Sequence, residues 1–188
     1  MQYADFHESV LYWARIRGFD NSDPRAQYLS CVEESVKEIS ESKMNLSDAM
    51  LSDAIGDTAV TLIILEMQLH KKCGKCFPGY SSVVTGSYME LMFGIGSIGA
   101  YLRRESWYQA LEMVYFSMNS LRLFCEEEGM YFDECCGKAW DEIKDRNGLM
   151  VNGSYVKEAD FNMEQKEEFF NRGIRSEDDL HHQVRLGS

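Results

Sequence analysis

Proline is nearly absent, with 2 residues in 188. Proline removes a helical donor and clashes with the preceding turn, so its scarcity leaves long stretches free to be helical. Long apolar runs are also missing. No stretch reaches the roughly 18 uninterrupted apolar residues of a membrane-spanning helix. The opening segment, MQYADFHESVLYWARIRGFD, contains no apolar block of the kind that marks a secretory leader. We therefore expect a cytoplasmic protein with no membrane contact, in a bacterial cell or a phage-infected host. Positive charge is in short supply as well: 19 Lys and Arg against 31 Asp and Glu give a net charge of −12. This balance excludes a broad basic surface for a nucleic-acid polymer, because such binding draws on counterion release by cations. A small anion remains possible, through a local basic group or a bridging divalent cation.

A hydrophobic content of 45% is enough for a sizeable core. The six cysteines (31, 73, 76, 125, 135 and 136) read as reduced thiols rather than a disulfide framework. CGKC, 73–76, is half of a zinc motif and lacks a second half of matching spacing. His7, His70, His181 and His182 show no ligand spacing.

Apolar periodicity is helical nearly throughout, and the fold class is all-α. We expect a first helix over 3–17 ending at Gly18, and a second from Pro24 through the SESK segment. A third, capped by Asn45 or Ser47, continues into LSDAIGDTAVTLIILEMQLH. A loop over 71–86, helices near 87–103 and 106–128, a sixth helix within 129–146 and a turn-containing, non-helical segment follow. Residues 1–158 form one domain, and 159–188 a charged, peripheral tail with one short helix. Gly94, Gly96 and Gly99 space as a dinucleotide fingerprint, but no strand precedes them, so they are expected to let helices approach closely. The run VTLIILEMQL is more apolar than one face of a monomeric bundle requires, which predicts a partner subunit.

The chemistry-bearing residues are acids. Glu34 and Glu38 are one turn apart on the second helix, with Glu41 three residues on, and Asp53 and Asp57 are one turn apart on the third. Helices joined by a short connection pack antiparallel, so the two sets can face each other across a groove. Carboxylates meeting there need a divalent cation, and oxygen-only ligands select Mg²⁺ or Mn²⁺ over zinc. The competing expectation is a solvated acidic face, with Glu33 and Lys37 as a favourable pair.

Four segments, YWARIRGF, SDPRAQYLSCVEE, SDAIGDTAVTLIILEMQL and AWDEIKDRNGLMVNGSYVKEAD, resemble the MazG-like all-α nucleoside triphosphate pyrophosphatases, particularly the small ones of phages and prophages. The resemblance implies a helical bundle forming a homodimer or dimer of dimers. It also implies Mg²⁺ held by acids of two adjacent helices, and cleavage of a (d)NTP to (d)NMP and pyrophosphate. Glu33 and Glu34 stand where the family has paired glutamates, and Asp57 where it has its last acid. Two further acidic positions are occupied by Lys37 and Ala54, each with an acid next to it, Glu38 and Asp53. This suggests a re-registered metal set of Glu34, Glu38, Asp53 and Asp57, with Glu34 and Glu38 catalytic. Lys37, Lys144, Arg146 and Trp13 are the candidate nucleotide contacts. A lysine inside the site would instead permit nucleotide binding without hydrolysis, the behaviour of a nucleotide sponge.

Overall fold

Helix α4, Asp48–Cys73, is the axis of the fold. In this computed structural model the described residues are 1–74, 85–152 and 154–172. Ser47 caps α4 by accepting a hydrogen bond from the Met50 amide at 3.3 Å. His70, Lys71 and Lys72 in its last turn complement the helix dipole. Every residue from Thr58 to Leu69 is buried, because α4 is wrapped by α1 (Tyr3–Ile16), α2 (Pro24–Val32), α3 (Ile39–Met44), α6 (Trp107–Glu127) and α7 (Phe132–Ile143). This corrects one expectation. The apolar run of α4 needs no partner subunit, since the chain's own helices cover all its faces.

The chain is predominantly helical, as its periodicity predicts, and no described helix is long and apolar enough to cross a membrane. Several boundaries follow from local chemistry. Gly18, with φ +84°, ends the α1 region in a left-handed turn that favours glycine. Asp23 caps α2 at the Arg25 amide, with Pro24 in the first turn. The expected loop over 71–86 begins later than predicted, since α4 continues to Cys73. Residues 75–84, with Cys76 of the half zinc motif, and 173–188, with His181 and His182, lie outside the described residues.

Helices α5 (Tyr88–Arg103) and α6 form a closely packed pair. A Cβ on Gly94 would collide with Ser117 and Phe116, and one on Gly99 with Tyr28. Those two glycines therefore serve helix approach, while Gly96 faces open space. After α7 the chain forms an antiparallel hairpin, β1 (Gly148–Val151) with β2 (Ser154–Lys157), where a turn-containing, non-helical segment was expected. Leu149 and Phe161 form a small second core, with Phe169 of α8 (Met163–Asn171) packed against it. Arg172 then donates to the Ile16 carbonyl at 3.4 Å, so the segment after the hairpin is tied back to α1.

Candidate acidic site between antiparallel helices

The helix that carries the glutamates is not uniformly α. Between α2 and α3, residues Glu33–Glu38 form a π-helical turn. A π turn absorbs one extra residue in a helix and recurs at functional sites. Its backbone is supported by side chains. Ser35 donates to the Cys31 carbonyl and Ser40 to the Val36 carbonyl, both at 2.5 Å, and the Tyr88 hydroxyl reaches the Ser35 and Val36 carbonyls at 3.3 and 3.2 Å. Without Lys37, the segment would read Glu-Glu-Ser-Val-Glu, with its last two glutamates three residues apart. With it, the wider turn keeps Glu38 electrostatically coupled to Glu34, while Lys37 lies exposed and pairs with Glu33 at 3.2 Å.

Across the groove, α4 runs antiparallel to this rod. Gln27 Nε2 meets the Thr61 carbonyl at 3.4 Å, while Glu34, ten residues before the end of α3, is influenced by Asp57. Asp53 and Asp57 are half-buried on α4, and Ala54 beside them is in the core with 1% exposure. The face that carries acids is thus the Asp53–Asp57 face. A glutamate at 54 would point into apolar packing.

The acids form a strained electrostatic cluster. Burial, then the charges of Asp57 and Glu38 and a side-chain hydrogen bond with Glu38, push the Glu34 carboxyl up from 4.5 to about 8. Burial, then Asp53, Glu142 and Glu38, push Asp57 up from 3.8 to about 6, against the opposing charge of Arg146. One oxygen of Glu34, Oε2, is buried with no hydrogen-bond partner among the described residues. Glu41 is exposed.

Helix α7 completes the site by virtue of Gly56. A Cβ there would lie 2.5 Å from the Cys135 carbonyl oxygen and 2.8 Å from the Ala139 Cβ. That backbone approach brings the end of α7, with Glu142 and Arg146, into the field of Asp57. Arg146 pairs with Glu142 at 3.5 Å. Its carbonyl accepts from the buried Arg17 Nε at 3.0 Å and from the Tyr155 hydroxyl at 3.2 Å, locking α7 to α1 and the hairpin. Lys144 is held by Asp141 at 3.0 Å. Trp13 is 5% exposed, stacked among Phe19 and Tyr155 and beneath the Arg17 guanidinium at 4.6 Å.

Glu34, Glu38 and Asp57 therefore lie within reach of one another's charge, with Asp53 one turn from Asp57 on α4 and Arg146 acting on Asp57. Lys37 faces outward, and Trp13 is enclosed. Glu142 and Arg17 were not singled out by sequence, since each becomes relevant only through the packing of α7 on α4 and α1. His7 and His70, unremarkable in sequence, both meet the buried Glu66, at 3.0 and 3.6 Å, and Tyr115 donates to it at 2.9 Å. This second polar knot lies three turns along α4 from the acidic site and braces α1, α4 and α6.

Among the described residues, no three His, Cys, Asp or Glu side chains converge as a ready-made metal cage. The donor set nevertheless fits a hard divalent ion. It is all oxygen, it leaves one buried carboxylate oxygen unpartnered, and its mutual repulsion is relieved by positive charge. Magnesium in particular keeps most of its waters and takes only one or two carboxylates. Comparison of the chain with protein-family models, with curated proteins and with solved structures finds no match.

Proposed function

We propose that the chain is a Mg²⁺- or Mn²⁺-dependent nucleoside triphosphate pyrophosphohydrolase of the MazG-like kind, releasing a nucleoside monophosphate and pyrophosphate. The observation that carries this reading is the mutual electrostatic influence of Glu34, Glu38 and Asp57 across one groove, with Asp53 beside Asp57, Glu34 raised by burial and one of its oxygens unpartnered. Glu34, Glu38, Asp53 and Asp57 would hold the ion, which supplies charge neutralisation of the phosphates and a lowered pKa for bound water. Glu34, raised to about 8 while no ion is bound, would give up that proton as the ion binds and then stand as base beside the bound water. Glu38, one turn away, adds its charge to the same side of the groove. Arg146, at the rim, is the cation placed to meet a phosphate, and its carbonyl contacts with Arg17 and Tyr155 fix its position. The alternative, a sponge that binds a nucleotide without cleaving it, required a lysine inside the site. Lys37 paired outward with Glu33 favours the enzyme. A homodimer or dimer of dimers belongs to the same proposal.

The test is incubation with each NTP and dNTP, with and without Mg²⁺, following pyrophosphate release and nucleotide binding together. We expect metal-dependent release that falls at least ~100-fold in Glu38→Gln and Asp57→Asn and is little changed in Lys37→Ala. Binding without release would make the protein a sponge. Absence of both would remove nucleotides from consideration.

A further inference from the structure

Five cysteines are described, and two of them differ from the rest. Cys125 of α6 and Cys135 of α7 place their sulfurs 3.8 Å apart in the buried seam between the helices. Cys135 Sγ also accepts a hydrogen bond from the Ser52 hydroxyl at 3.4 Å, and that hydroxyl accepts from Lys138 Nζ at 3.0 Å. A chain of donors thus runs from an exposed ammonium, through Ser52 at 6% exposure, to one sulfur of a thiol pair. Cys31, Cys125, Cys135 and Cys136 are all buried, and in Cys31 and Cys136 burial raises the thiol, Cys31 to about 12. Cys135 and then Asp133, both on the same helix, further oppose thiolate formation at Cys136.

We propose that Cys125 and Cys135 form a reversible dithiol–disulfide pair oxidised by hydroperoxides, in which Cys135 reacts first and Cys125 resolves it. The thiolate is the reactive form of cysteine. Contact with Cys125 Sγ, then the hydrogen bond from Ser52 and the Lys138 charge, hold the Cys135 thiol below its ordinary range against the opposing effect of burial. Cys125 is held above its ordinary range by its contact with Cys135 and by burial.

In the first step the Cys135 thiolate sulfur attacks one peroxide oxygen. The O–O bond breaks, and the departing oxygen leaves as hydroxide or alkoxide, taking a proton from water or from the Lys138–Ser52 chain. Sulfur is oxidised by two electrons to the sulfenic acid, and the peroxide is reduced. In the second step the Cys125 sulfur attacks the Cys135 sulfur. The S–S bond forms, the S–O bond breaks, and the hydroxyl leaves as water with the Cys125 proton. A dithiol reductant returns both thiols by exchange. The sulfurs must close by about 1.8 Å to reach disulfide length, a displacement within the reach of side-chain rotation.

The pair also borders the acidic site. The Cys135 carbonyl is the group that abuts Gly56, between Asp53 and Asp57 on α4. Closure of the disulfide thus acts on the turn of α7 that fits against the acid-bearing helix. The chemistry itself does not depend on the nucleotide reading, because its readout is the mass of the cysteine peptides.

The experiment treats the reduced full-length chain with a few equivalents of hydrogen peroxide, quenches by alkylation, and maps peptides without reduction. The expected product links Cys125 to Cys135 with loss of two hydrogens, while Cys31 and Cys136 remain alkylatable. Fragmentation between the adjacent Cys135 and Cys136 assigns the link. Cys135 is expected to oxidise about tenfold faster than Cys31 or Cys136. In Cys125→Ser, dimedone should trap Cys135 as its sulfenic-acid adduct, and Lys138→Met should slow that oxidation severalfold. If Cys135 survives as a thiol after Cys73 has been oxidised, or if the link uses Cys136, the proposal is wrong. The wild-type map decides this without relying on a variant that must fold.

Discussion

Glu34 keeps its proton at neutral pH because burial and the charges of Asp57 and Glu38 oppose its ionisation. Both raised values, about 8 for Glu34 and about 6 for Asp57, lie above the ordinary 4.5 and 3.8. The folded chain therefore binds more protons than the unfolded chain between these limits. The contribution of the pair to stability is complete below the ordinary values and is lost as pH rises through about 6 and then about 8. Allowing for solvent screening of half-exposed groups, the loss is about 2 kcal/mol. Thermal melts at pH 5 and pH 8.5, free of divalent ions, should show it. In Glu34→Gln the pH dependence should flatten and the alkaline melt should rise, even as metal-dependent pyrophosphate release disappears. Metal affinity, read by Mn²⁺ titration, should increase with pH because the ion must displace the Glu34 proton. At Ala54, introducing a glutamate should not improve the site. The position is 1% exposed, and a carboxylate there should destabilise the fold by about 3 kcal/mol or more, measured by denaturant midpoint.

At the scale of elements, a one-residue change in helix register decides whether the glutamates remain a pair. Deleting Lys37 should convert the π turn Glu33–Glu38 to ordinary α-helix and leave Glu34 and Glu38 three residues apart on one face. We expect this variant to retain metal-dependent turnover within about tenfold, whereas deleting a residue of α4 between Asp53 and Asp57 should abolish it. Loss of all activity on deleting Lys37, in a chain that still melts cooperatively, would show that the π turn itself is required. The approach of α7 to α4 has its own test. Alanine is the better helix former, by about 1 kcal/mol, yet Gly56→Ala must push against a backbone carbonyl and the Ala139 Cβ. It should lower stability by about 2 kcal/mol net and weaken the influence of Arg146 on Asp57, visible as a higher Asp57 pKa. Much of this level was legible in the sequence. Gly18, Pro24 and Ser47 mark helix ends because each acts on backbone within a turn of itself. The four acids were legible because spacings of three and four share a helix face. The π turn was not, because both registers satisfy the same apolar periodicity. Glu142 and Arg17 were equally hidden, since nothing local tells which distant helix a residue will meet.

At the scale of the whole molecule, the most apolar segment and the most exposed apolar side chains prove to be different parts of the chain. The run in α4 looked like a surface for a partner because a helix with no polar face has nowhere to sit in a small bundle. Five other helices around it supply that place. The remaining exposed apolar side chains on regular helix include Met89 and Phe93 of α5, at 75% and 65% exposure, one turn apart, with Gly96 opening onto free space beyond them. This face, rather than α4, is one on which a second copy of the chain would bury apolar surface, since contiguous exposed apolar groups mark interaction surfaces. If the proposed dimer forms there, sedimentation equilibrium should give twice the chain mass for the wild type and a monomer for Phe93→Glu. The folded core should be little affected, because Phe93 is 65% exposed and meets Phe116 at a ring edge. Gly96→Leu should weaken the dimer through bulk alone, without adding charge. A dimer that survives both changes would place the interface elsewhere, and a monomeric wild type would leave the acidic groove complete within one chain, formed by α4, α7 and the π turn alone.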